Sequence, residues 1–115
     1  MDHYTIVIHT RMRRKIFLAG NVSDRAVQLI VENAPSGTYI CGYRMFPNAA
    51  AISIYTTENT PPEKLCYVFR KATSSKLRKE FPELRKMPSI WTRKFNIVYK
   101  EAQDIQEEEI IKLSP

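Results

Sequence analysis

Clustered cations are the side chains best placed to do chemistry in this chain, and the chemistry they suit is the gripping of phosphate. Arg11, Arg13, Arg14 and Lys15 fill four of five consecutive positions. Arg70, Lys71, Lys76, Arg78 and Lys79 follow within one later stretch. The net charge of +6 is unevenly spread: residues 64–94 hold ten Lys or Arg against Glu80 and Glu83, and residues 101–112 reverse the sign. Segregated positive charge favours a polyanionic partner, because lysines and arginines gain affinity by releasing counterions from phosphates. A solvated basic helix is the plainer alternative. Groups for covalent or metal chemistry are sparse. Tyr55 and Tyr99 are candidate nucleophiles and His3 and His9 candidate ligands, but a strand tyrosine usually packs and His9 lacks a second ligand two residues away. Glu107, Glu108 and Glu109 read as the acidic first turn of a helix.

Such residues need a scaffold, and 115 residues supply one domain, 1–115, with no spare length for a linker. No apolar run approaches the roughly 18 to 20 residues that span a bilayer. The start, Met1-Asp2-His3-Tyr4, lacks the basic-then-apolar order of a signal peptide, so a cytoplasmic protein is expected. Cys41 and Cys66 have no Cys or His at metal-finger spacing and read as two free, mostly buried thiols.

Tyr4 to Thr10 is rich in β-branched and aromatic residues and predicts a strand, with the basic loop 11–15 at its end. Ser23 is the expected N-cap of a first helix, since Ala26, Val27, Ile30, Val31 and Ala34 recur at helical steps and Pro35 forbids continuation. Thr38 to Phe46 and Ala49 to Thr56 predict a hairpin closed by Pro47-Asn48. A second helix is expected from Glu63 to Glu80, then a strand from Ile90 to Tyr99. Trp91, Phe95, Ile97 and Tyr99 would share one face of that strand. Asp104 with Glu107 predicts a capping box opening a short last helix that ends near Leu113. The order β-α-β-β-α-β plus a terminal helix is the α+β, ferredoxin-like split βαβ pattern: one antiparallel sheet with two helices on one face. That architecture assigns no function by itself.

Four collinear stretches bear a family resemblance. His9-Thr10-Arg11-Met12-Arg13-Arg14-Lys15-Ile16-Phe17, Tyr43-Arg44-Met45-Phe46-Pro47-Asn48, the run from Phe69 to Leu84, and Ile90-Trp91-Thr92-Arg93-Lys94-Phe95 together resemble the single-tyrosine HUH transposases of small insertion sequences. The resemblance implies a His-x-His pair and a Gln holding a divalent ion such as magnesium or manganese, and a tyrosine on the last helix that attacks DNA and stays joined to its 5′ end. Carried over by position, the histidines fall on Ala49 and Ala51, the tyrosine on Ile110 and the glutamine on Ser114. None can do that work. The expectation is therefore a DNA-binding member of the family without catalytic residues, metal or cofactor, that recognises hairpin or single-stranded DNA ends as a homodimer. An active transposase with shifted residues and a ferredoxin-like RNA-binding or interaction module are the alternatives.

Overall fold

In a computed structural model that describes residues 2–57 and 59–113, the first strand, β1 (Asp2–Thr10), is buried from Tyr4 to Thr10. Covered on both faces, it is buried continuously rather than at alternate positions, with Thr5, His9 and Thr10 enclosed among the apolar residues. Tyr4, Ile6 and Ile8 point into the main core, and Val7 into a second cluster on the opposite face. β2 (Thr38–Phe46) and β3 (Ala49–Thr56) occupy the expected bounds, and β4 (Trp91–Val98) completes an antiparallel sheet of order β2-β3-β1-β4. Two helices, α1 (Gly20–Glu32) and α2 (Pro62–Glu80), cover the main-core face. A third, α3 (Glu107–Leu113), covers the other.

Most departures from expectation trace to packing overriding a local signal. Ser23 is not the cap of α1; the helix begins at Gly20, with Ala19 at the cap position and no side-chain hydrogen bond there. Val22 is the reason. It is buried with Ala26, Leu29 and Ile30, so the apolar stripe starts a turn earlier and carries the helix with it. Nor does Asp104 open the last helix. It lies in a 3-10 turn, Ala102–Asp104, because Ala102 and Ile105 are both drawn into the second cluster and Ile105 is left extended (φ −79°, ψ 129°). The capping reach survives in shifted form, with Gln106 N donating to Glu109 Oε1 at 3.4 Å. β4 stops at Val98, leaving Tyr99 exposed beyond it. Cys66 is buried as expected, but Cys41 is exposed; both are free thiols.

The helix layer is tied to β4 by polar bonds as well as apolar contact. Trp91 Nε1 donates to Thr73 Oγ1 of α2 at 2.6 Å, and Thr73 Oγ1 donates in turn to Phe69 O at 2.8 Å. A buried indole N–H needs such a partner. The ladder between β1 and β4 is irregular between Ile8 and Thr10, where Phe95 and Trp91 are the successive partners. Arg70 of α2 fills that irregularity, donating to the carbonyls of Thr92 and Arg93.

Candidate nucleic-acid interface and the covered sheet face

The basic loop after β1 is held in one shape. Thr10 N and Oγ1 donate to Asn48 O, Thr10 Oγ1 also donates to Arg14 O at 2.7 Å, and Arg11 N donates to Ile90 O at 2.8 Å. Phe17 N closes the far side on Pro47 O. Within this bracing Met12 (φ 56°) and Arg13 (φ 55°) are left-handed, a conformation that side-chain-bearing residues adopt only when their surroundings impose it. The loop presents exposed cations on a rigid frame.

Its neighbours make a groove. Arg11 and Met12, Tyr67, Arg70, Lys71 and Ser74 of α2, and Pro88, Ser89, Trp91, Thr92 and Arg93 at the entry to β4 line an open cavity of about 890 Å³. Lys71 Nζ lies 5.8 Å from the centre of the exposed Tyr67 ring, and Arg11 Nη1 donates to Ser89 Oγ at 3.4 Å. Cations beside an exposed aromatic face suit a nucleic-acid strand, whose backbone seeks charge and whose bases seek a flat apolar surface. Of the nine cations singled out in the sequence, Arg11, Arg70 and Lys71 meet here. Arg14 and Lys15 line a separate depression with Glu83 and Met87, whereas Arg78 and Lys79 line a third with Ser75 and Arg85. Arg13 and Lys76 are exposed and line none of these three surfaces. Arg93 and Tyr67 were missed as site residues. Arg93 was visible only as one charge in a basic stretch, and Tyr67 follows from its place one helical turn before Lys71.

On the other face of the sheet lie the positions where the family resemblance looks for catalysis. Ala49 pairs with His9 and Ala51 with Val7 across the β1–β3 ladder. Both alanines are fully buried, packed with Val7, Phe46, Ala102, Ile105 and Ile110. Side chains of one carbon leave room for the terminal segment to settle on the sheet, and polar bonds hold it there. Arg44 Nη1 donates to Ile105 O at 2.6 Å, Asn96 Nδ2 to Leu113 O at 3.0 Å, and Ala102 N to Ser53 Oγ at 2.8 Å. Lys100 Nζ meets Glu109 Oε1 at 2.9 Å, a hydrogen bond that holds this carboxyl below its ordinary range. Ser114 lies outside the described residues.

His9 also meets the terminal segment at this interface. It is 1% exposed, and its Nε2 is 3.0 Å from Ile110 O. A carbonyl only accepts, so Nε2 carries the hydrogen and its lone pair is not offered to an ion. Nδ1 is buried without a hydrogen-bond partner. The side chains of Ala49, Ala51 and Ile110 offer no ligand atom. These positions do not fit the divalent ion that the family resemblance implies, and no reaction step is routed through one here. The remaining buried thiol is equally unsuited to chemistry, since burial pushes Cys66 up to about 11.

A four-stranded antiparallel sheet of this order, with paired helices on one side and a cationic groove at one end, defines the chain as an α+β domain of the split βαβ class. Within that class it belongs to a particular family: the profile described as "Transposase IS200 like" matches residues 2–112, so the chain is a member of the IS200-like transposase family. Among solved structures it is similar to a crystal structure described as that of a "putative transposase" from Deinococcus radiodurans R1. The TM-score is 0.78 at 13% identity, over 97% of this chain and 85% of that one, a likeness of fold alone. No curated protein matches the sequence.

Proposed function

We propose that this member of the transposase family binds hairpin or single-stranded DNA ends and does not cut them. One contrast supports the reading: the cationic groove beside Tyr67 is open, while Ala49 and Ala51 are packed shut beneath the terminal segment that carries Ile110. The groove offers both charge and an aromatic face, which is the combination a single strand or hairpin loop uses. DNA is the partner that family membership suggests. Two edge strands, β2 and β4, leave outer ladders through which a second copy could extend the sheet into a dimer.

The test is a mobility shift with hairpin, single-stranded and duplex DNA, repeated with manganese or magnesium. Binding to hairpin or single-stranded DNA should weaken steeply with salt, and neither cleavage nor a covalent protein–DNA adduct should form. A tyrosyl adduct would overturn the non-cutting reading. Preference for structured RNA over DNA would move the chain to the RNA-binding alternative. Sedimentation of the free protein would decide between monomer and dimer.

A further inference from the structure

At the far end of β1 from the basic loop, three metal-ligating side chains converge from three separate parts of the chain. His3 comes from β1, Cys41 from β2 and Glu101 from the segment leaving β4. His3 Nε2 is 3.0 Å from Glu101 Oε1 and 3.8 Å from Cys41 Sγ, and all three ligand atoms lie within 4.8 Å of one another. Zinc bonds of about 2.0 to 2.3 Å arranged tetrahedrally place ligand atoms about 3.3 to 3.7 Å apart, so these separations need only small side-chain adjustments to close on one ion.

The surroundings prepare this arrangement. The β2–β3 register shifts between Ile40 and Gly42, leaving Cys41 as the extra residue of a bulge, a device that re-aims a side chain. Tyr55 of β3 stacks on the His3 ring at 4.0 Å between centroids and 8° between planes, fixing the imidazole's orientation. The His3 and Glu101 side chains are 34% and 37% exposed, which leaves an approach for an ion and space for a water. From His3 to Val7 and His9, the partners of Ala51 and Ala49, is about 13 Å and about 20 Å of strand, so this cluster is distinct from the covered alanine positions.

We propose that His3 Nε2, Cys41 Sγ and Glu101 Oε1 form a binding site for a zinc-class divalent transition ion, with water as the fourth ligand. A thiolate, an imidazole and a carboxylate select a borderline-soft ion over magnesium or calcium, which prefer all-oxygen shells. Bridging β1, β2 and the exit from β4, the ion would act as a clamp. Glu101 immediately precedes Ala102, the first anchor of the terminal segment, so occupancy would also tether that segment.

Titration of the full chain with cobalt(II), in a non-chelating reductant, tests this directly. The expected result is one cobalt per chain with a sulfur-to-metal charge-transfer band and the intense visible absorption of a tetrahedral site, both removed when zinc displaces cobalt and unaffected by magnesium. Cys41→Ser should abolish the charge-transfer band and weaken zinc binding by more than about tenfold, while Glu101→Gln should weaken binding and keep the band. Zinc should also slow alkylation of Cys41 in the unaltered chain, a readout independent of whether either variant folds. An octahedral cobalt spectrum without sulfur absorption, a band that persists in Cys41→Ser, or alkylation indifferent to zinc would each overturn the site.

Discussion

At the scale of single residues, Ala51 shows how much rests on one missing side chain. It is fully buried between Val7 and the terminal segment, so a larger group has nowhere to go. Ala51→His should destabilise the fold by about 1–3 kcal/mol or more, through overpacking and an imidazole buried without partners. Chemical denaturation of the variant measures this. A histidine accommodated at no cost would mean that the terminal segment lifts easily from the sheet. The alanines themselves were legible: Pro47-Asn48 set the turn, and period-two alternation placed 49 and 51 on one face. What filled that face was not legible, because Ala102, Ile105 and Ile110 lie some fifty residues further along the chain and their contact with it is purely tertiary. The His3, Cys41 and Glu101 cluster was hidden for the same reason. Its ligands have no spacing to read, and a bulge is needed to aim the cysteine.

At the scale of elements, strands were easier to place than helix ends. β2 and β3 match expectation to the residue because Gly37 and Pro47-Asn48 punctuate them. The start of α1 did not match because a capping preference of about 1 kcal/mol competes with burial of Val22, which is of similar or larger worth. The terminal helix lends itself to a pH test. Its Glu109 carboxyl is held below the ordinary 4.5, chiefly by the hydrogen bond from Lys100, so folding favours the ionised form. The resulting stabilisation is complete above that ordinary value and is lost as pH falls through the lower folded value. Protection of the α3 amides, taken relative to their intrinsic exchange at each pH, should therefore fall selectively in acid, and Glu109→Gln should remove the pH-dependent part. Equal loss of protection in the variant would assign the effect to other carboxyls.

At the scale of the whole molecule, the charge asymmetry seen in the sequence resolves into a surface with a shape. Not all cations in the basic stretch are equivalent, since only some line the groove beside Tyr67, and the helical period alone could not sort them without knowing how α2 meets the entry to β4. Lys71→Ala should reduce the salt dependence of DNA binding by about one unit of slope. Lys79→Ala, outside the groove, should change it less. Equal effects would mean that DNA contacts the basic surface diffusely rather than in the groove.

The hydrophobic cover over β3 bears on how the protein fails as well as how it stands. No described helix is long and apolar enough to cross a membrane, yet the last dozen described residues hide an oily floor of Val7, Phe46, Ala49 and Ala51. If that strap peels away, what comes into the open is stickiness rather than reactivity, and a molecule caught in that moment invites clumping with its own kind.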